Sequence, residues 1–358
     1  MLSLARRILL DTAAVAAACL GLLGTASAVA ETPDAPVPLF DELRFQDAPL
    51  MLEIRAPWRQ LRRAPEEDGP YPATLTIPGQ DVALELTVEK RGVSRQEICS
   101  MPPIRLRFNE ERVEGTIFDG NRTIKLVTHC NRGRRYEQYV LLEMLAYRFY
   151  SALTELSFRV RPAAIVYEDS ERERSDGPRI AFLIEDDRLV GNRHGLDKVD
   201  VEEVRTADLP ALETSIFMLF QYMIGNVDFS PLSAVEGECC HNAKLIGNED
   251  TLDPIYATPY DFDSSGWVDA SYAVVPEILP IRNVRQRLYR GFCRHNEGLP
   301  AARALFLARR DELYAILENE TRLSSSSQRK SSRYLDEFFE ILTDDQRFDR
   351  EITEQCRS

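Results

Sequence analysis

Apolar and polar positions change rhythm several times along this chain. From about residue 46 to 128 they alternate with a period near two. PATLTIPG (72–79) and DVALELTVEKRG (81–92) place apolar groups at every second position, with Pro78-Gly79 as a turn between them. PPIRLRFN (102–109) and TIKLVTHC (123–130) repeat the pattern. The period then lengthens. Val140, Leu141, Met144, Leu145 and Phe149 recur at helical spacing and predict a helix over 134–153. AAIVYED (163–169) and RIAFLIED (179–186) read as two strands joined by a polar hairpin. A buried helix is expected at about 209–225, with Asp208 as its N-cap and Pro210 in its first turn. Residues 226–275 hold short strands and polar loops. From 277 onward VRQRLYRGFC, LPAARALFLARRDELYAILEN and a last segment near 332–342 read as helices, with LSSSSQRKSS as a polar loop before the last.

This order predicts an α+β fold. Residues 46–186 form a β-rich half with one helix, and 187–358 a mostly helical half bearing polar loops. Residues 31–45 are proline-rich and acidic and read as a linker. The first thirty residues have the layout of a signal peptide. Arg6 and Arg7 precede an apolar run, and Ala26-Ser27-Ala28 and Ala28-Val29-Ala30 both suit the cleavage rule. The run is short for a membrane span and Asp11 interrupts it. The expectation is an exported protein, periplasmic or extracellular, with no transmembrane span in the mature chain.

Composition narrows this. The chain is 44% hydrophobic and 28% charged, which is ordinary for a globular protein. Its formal net charge is −14. That argues against nucleic acid or an anionic lipid surface as partner, although NRGRR (131–135) is locally basic. Six cysteines lie beyond the leader: Cys99, Cys130, Cys239, Cys240, Cys293 and Cys356. In an oxidising compartment they suggest disulfides. Cys99–Cys130 is expected, with a second bridge from Cys239 or Cys240 to Cys293. No C-x-x-C pair is present and the histidines are scattered, so a zinc site is not indicated.

The candidate chemistry lies in GNVDFSPLSAVEGECCHNAKLI (225–246) and PIYATPYDFDSSG (254–266). A buried helix delivers Asn226 and Asp228 into a loop, His241-Asn242 precede a short strand, and Asp261 and Asp263 stand two residues apart. Phosphoryl transfer needs a carboxylate to orient or deprotonate the attacking hydroxyl, and hard oxygen ligands to hold Mg²⁺ against phosphates. In an extended segment Asp261 and Asp263 would share a face and could point at one metal.

These residues resemble the CotH (spore-coat protein H) kinase family, whose fold is protein-kinase-like. KRGVSRQEICSMPPIRLRFN (90–109) is similar to the family's N-lobe signature through Arg91, Gly92, Ser94 and Arg105. A strand with Lys125 precedes the helix bearing Glu137 and Glu143. Asn226-x-Asp228, Asn242 and Asp261-Phe262-Asp263 are similar to the catalytic and metal-binding positions. The resemblance implies a bilobal protein-kinase-like fold with a β-rich N-lobe and a mostly helical C-lobe. It implies Asp228 as the catalytic residue, Asn242 and Asp261 with Asp263 holding Mg²⁺ or Mn²⁺, Lys125 on the phosphates of ATP paired with Glu137 or Glu143, and Glu185 at the hinge. Arg91 and Arg95 either contact phosphate or support the sheet. Three features depart from the family pattern. The gap between Asp228 and Asn242 is long, no Arg neighbours Asp228, and no glycine-rich phosphate loop is recognisable. The implied activity is transfer from ATP to a protein or envelope acceptor. An inactive pseudokinase serving as a disulfide-stapled binding module is the alternative, and a metal-dependent hydrolase built on Asp261, Asp263 and His241 is a remote third.

Overall fold

The computed structural model describes residues 38–41, 48–65, 68–80, 83–92, 94–234 and 239–358. The expected leader, and all of the expected linker but 38–41, lie outside the described residues. The first half runs β1 (Leu50–Ala56), α1 (Trp58–Arg63), β2 (Tyr71–Thr76), β3 (Ala83–Lys90), α2 (Ser94–Ile98), β4 (Ile104–Phe108), α3 (Glu110–Val113), β5 (Thr123–Val127), α4 (Arg134–Leu153), β6 (Val160–Asp169) and β7 (Arg174–Ile184). All seven strands close into one mixed barrel in the order β1-β2-β3-β4-β5-β7-β6. This corrects the expected fold class. The chain builds a closed barrel with helices, not a bilobal kinase-like arrangement with a β-sheet N-lobe. The closing step is the parallel pairing of β1 with β6, in register from Leu50–Ala163 to Ala56–Asp169. Parallel neighbours need a long crossover, and here more than a hundred residues separate the partners. The local alternation that marks each strand says nothing of that contact.

Alternation fixes which side chains fill the barrel. Leu52, Ile54, Leu75, Leu86, Val88, Leu106, Ile124, Leu126, Ile165 and Leu183 are buried together inside it. Their neighbours Val127, Val160, Phe182 and Ile184 face outward into a second core built around α4. Lys125 lies between Ile124 and Leu126 and opposite Ile184, so it too points to the outer side. The helix expected over 134–153 has those bounds, and its five predicted apolar residues are buried.

The second half contains α5 (Asp187–Asn192), β8 (Asp197–Val199), α6 (Ala211–Met223), β9 (Ala243–Gly247), β10 (Ile255–Pro259), α7 (Leu299–Ala308), α8 (Arg310–Glu318), α9 (Ser325–Thr343) and α10 (Asp345–Glu351). β8, β9 and β10 form a small antiparallel sheet. Three expectations change here. Pro210, not Asp208, is the N-cap of α6; Asp208 instead accepts from the Arg205 backbone N–H at 3.3 Å. VRQRLYRGFC is irregular, its arginines spent on backbone carbonyls such as those of Gly266, Met223 and Phe229. Most of LSSSSQRKSS is the first turns of α9, because the Ser324 hydroxyl accepts the Ser327 N–H and caps the helix. Among the described residues no helix is long and apolar enough to cross a membrane.

Cys99–Cys130 is bonded as expected. The second expected bridge is not: Cys239 pairs with its neighbour Cys240, and Cys293 with Cys356. The C-terminal segment lies along residues 291–293, with the Cys293 N–H donating to the Arg357 carbonyl at 2.8 Å, and this brings Cys356 to Cys293.

The closing strand gives a test of the barrel. Ile54 is fully buried on β1. Ile54→Ala should destabilise the protein by about 2–5 kcal/mol through lost burial and the cavity left behind, read as a lower urea midpoint at unchanged slope.

Candidate functional site

The site forms where the chain leaves α6, where it enters β9, and where it leaves β10. After α6 it turns at Gly225, whose φ is 61° and where a Cβ would lie 2.0 Å from the Tyr334 hydroxyl oxygen. Glycine is required there by both criteria. Asn226 follows, buried, and its side-chain oxygen accepts the Asp228 N–H at 3.0 Å while its amide nitrogen donates to Gln221 at 3.0 Å. This Asx turn presents Asp228 at the surface of the site. His241 Nε2 lies 2.7 Å from Asp228 Oδ1, and Asn242 Nδ2 donates to Asp228 Oδ2 at 3.1 Å and to its backbone carbonyl at 2.8 Å. The hydrogen bond to Asp228 is the main cause that raises the His241 pKa above its ordinary value, so the pair favours imidazolium facing carboxylate.

Asn242 and Asp261 both adopt left-handed backbone, with φ of 48° and 61°. Such strain in residues other than glycine is held only where surroundings enforce it. Here the Tyr260 N–H reaches the Asn242 carbonyl at 3.3 Å, and the Asp261 N–H donates to the Tyr147 hydroxyl of α4 at 2.8 Å. Asp261 and Asp263 therefore lie in a turn rather than in the expected extended segment, yet they converge. Both reach the buried guanidinium of Arg95, Asp263 at 3.1 Å and Asp261 at 3.4 Å, and Glu143 of α4 stands 3.8 Å from it. Burial alone would lower the Arg95 pKa, but the three carboxylates outweigh it and hold Arg95 protonated. One guanidinium cannot neutralise all three. Burial pushes the Glu143 carboxyl up to about 8, and raises Asp263 as well.

Lys125 does not pair with a helical glutamate, which corrects that expectation. Glu143 is committed to Arg95, and Glu137 sits 3.7 Å from Arg179. The Lys125 ammonium instead lies between the rings of Phe158 and Tyr260, 5.6 and 5.7 Å from their centroids, and Lys244 approaches Tyr260 at 5.4 Å. Burial is the main cause that pulls its pKa down to about 8; repulsion from Arg91 and Lys244 adds to this, against attraction from Asp187 and Asp186. Arg91 is buried and its Nε has no hydrogen-bond partner among the described residues. Glu185 is likewise satisfied internally. It pairs with Arg193 at 2.9 Å and accepts the Arg159 N–H at 3.1 Å.

The fold thus gathers Asp228, Asn242, Asp261, Asp263, Glu143, Lys125 and Arg91, and leaves Glu137 and Glu185 in separate ion pairs. Arg95 as the centre of the acidic group, and Lys244 and Tyr260 beside Lys125, are additions that no sequence spacing announced. The residues fit phosphate: two lysines and an arginine with an orphaned N–H converge and lack a carboxylate partner among the described residues. They fit a metal less well. Asp261 and Asp263 are turned onto Arg95, and among the described residues no group of three or more acidic, histidine or cysteine side chains is arranged to hold a metal ion. No protein-family model matches the chain, and no curated protein does.

The Glu143 shift gives a signed prediction. A carboxyl whose pKa is raised in the folded state contributes stability that is full below about 4.3, the ordinary glutamate value. That stability is lost as pH rises through about 8. Urea midpoints should fall from pH 5 to pH 8.5 in the natural protein, and fall less in Glu143→Gln. Equal slopes would show that Glu143 is ionised throughout.

Proposed function

We propose that the chain is an ATP-dependent phosphotransferase acting on a hydroxyl of a protein or envelope acceptor. The observation that carries this reading is the group of Lys125, Lys244 and Arg91. It gathers mutually repelling, partly or wholly buried cations, none of them in an ion pair among the described residues, with Asp187 and Asp186 acting on Lys125 only at longer range. Unpaired charge of this kind is costly in a protein interior, and a polyphosphate would offset it. Lys125, Lys244 and Arg91 would hold the phosphates. Asp228, oriented by His241 and Asn242, accepts the proton of the acceptor hydroxyl as that oxygen bonds to the terminal phosphorus and ADP leaves. Asn242, Asp261 and Asp263 would hold Mg²⁺ or Mn²⁺ only after the two aspartates give up Arg95. The activity is the one that the resemblance to the CotH kinase family implies. The charges of the site support that activity; the closed barrel does not share the family's fold.

Arg95 favours a second reading. With Asp261 and Asp263 both turned onto Arg95, the chain would bind nucleotide without metal and act as a binding or assembly module stapled by its disulfides.

Thermal unfolding with ATP, with and without Mg²⁺ or Mn²⁺, separates these. A ligand that binds the folded state alone raises Tm. ATP should raise it saturably, with affinity at least tenfold weaker in Lys125→Met and falling as pH rises through about 8, where Lys125 loses its proton. Asp228→Asn should keep binding and lose about 10²-fold or more in phosphoryl transfer to a hydroxyl acceptor. A shift that needs no metal, without transfer, supports the binding module. No shift under any condition defeats both readings.

A further inference from the structure

Asp228 stands partly exposed between two buried neighbours, Val227 and Phe229. Phe229 packs edge-on against Phe217 of α6, 5.4 Å between ring centroids. The Asp228 N–H is taken by the side chain of Asn226, and its carbonyl by that of Asn242. The carbonyls of Val227 and Phe229 remain, one on each side, and Arg290 takes both. Its Nη1 donates to the Val227 carbonyl and, at 3.0 Å, to that of Phe229. The guanidinium also lies over the Phe229 ring, 5.0 Å from its centroid. One nitrogen thus spans the short segment that carries the carboxylate, and it comes from a residue 61 positions beyond Phe229.

This placement is not one that stability alone favours. Arg290 is in no ion pair among the described residues. Burial is the main cause that pulls its pKa down to about 10; repulsion from Arg357 adds to this, and attraction from Asp228 opposes it. A largely enclosed cation without a paired anion is unfavourable. The C-terminal segment nevertheless holds Arg290 from behind. Arg357 Nε donates to the Arg290 carbonyl at 2.9 Å, the Arg357 N–H to the Gly291 carbonyl at 2.8 Å, and Cys356 is bonded to Cys293. The result is a fixed backbone around one carboxylate rather than an ion pair.

We propose that Arg290 is the positioning residue of Asp228: it clamps the backbone on both sides of the carboxylate and so sets where that carboxylate meets an acceptor hydroxyl. The inference rests on the reading of Asp228 as the proton-accepting group. Arg290 acts through the backbone and not on the reacting atoms. Without it, two carbonyls lose their shared donor and the segment is free to shift. A displacement of about 1 Å at a reacting group can cost on the order of 10²-fold in rate. Binding of ATP at Lys125, Lys244 and Arg91 does not involve this segment.

The test uses the full chain and two readouts. The first is phosphoryl transfer from ATP to casein. In Arg290→Met, kcat should fall at least tenfold with KM for ATP within twofold of the natural value, and Arg290→Lys, which keeps a cationic donor, should recover part of the loss. Adding Arg290→Met to Asp228→Asn should deepen the Asp228→Asn loss no further, as expected where one residue acts through the other; a merely structural role would add to it. The second readout needs no turnover. It is the Nε2–H resonance of His241 in nitrogen-15-labelled protein in mildly acidic buffer, assigned with His241→Gln. The hydrogen bond to Asp228 protects that proton from exchange. The signal should be present in the natural protein and in Arg290→Lys, and lost in Asp228→Asn and in Arg290→Met. Urea midpoints check folding, and Arg290→Gln takes the place of Arg290→Met if the latter does not fold. Absence of transfer in every sample defeats the phosphotransferase reading alone, and the His241 signal then decides the role of Arg290. A signal unchanged in Arg290→Met, a signal absent from the natural protein, or a deeper loss in the double variant would each overturn the inference.

Discussion

The burial of one guanidinium organises this molecule's polar interior. Arg95 stands on a short helix between two strands of the barrel, Glu143 in the middle of α4, and Asp261 and Asp263 in the turn after β10. Phe262 packs its ring on Tyr147 of α4, 4.5 Å between centroids, and brings the turn to that helix. The buried charge adds Arg95 to the meeting, because leaving either sign unpaired costs several kcal/mol. The turn therefore takes a strained φ at Asp261, stabilised by the Tyr147 hydroxyl from the same face of α4. Tyr272 packs edge-on against Tyr139, one turn earlier on that helix. The cluster holds one positive charge against three carboxylates, and the imbalance falls on Glu143, which stays protonated into the neutral range.

That allocation decides what Lys125 can do. With Glu143 turned to Arg95, the strand lysine has no carboxylate of its own and rests between aromatic faces. Aromatic contact stabilises an ammonium by roughly a kcal/mol, less than a buried carboxylate would, so the ammonium remains available to an external anion. Asp228 is constrained in the opposite sense. His241 and Asn242 hold each of its oxygens, yet its side chain stays partly exposed. The site thus joins a positioned carboxylate to buried cations, with Asp261 and Asp263 held by an internal guanidinium.

Much of this was visible in the sequence where the signal is local. Period-two alternation marks β2 to β5, and the five apolar residues of α4 give that helix its bounds. The clustering of Asp228, Asn242 and Asp261 was legible because a buried helix and two short strands lead directly into them. What was not legible is non-local. Barrel closure depends on β1 meeting β6 in parallel, and a strand's pattern names the face it buries, never its partner. The pairing of Cys293 with Cys356 depends on where the C-terminal segment docks. Lys125 and Glu143 have the spacing of an ion pair, but Arg95 competes for the glutamate from a short helix whose placement no periodicity reveals. The serine run before residue 332 reads as a loop by composition, and one capping hydroxyl at Ser324 turns it into a helix start.

Two cationic regions, Lys125 and the Arg134-Arg135 pair, hold their charge in unlike surroundings. Lys125 is enclosed, so its charge is felt strongly over short range and little weakened by salt. Its cost is a lowered pKa, which ties the charge to pH. Arg134 and Arg135 lie in solvent, where salt screens their charge beyond about 10 Å. In a chain whose formal charge is −14, exposed basic residues also stand against a background that repels anions. Enclosure ties the first charge to protonation, and exposure ties the second to salt. Both follow from where the fold leaves cations without carboxylates, and neither follows from the net charge.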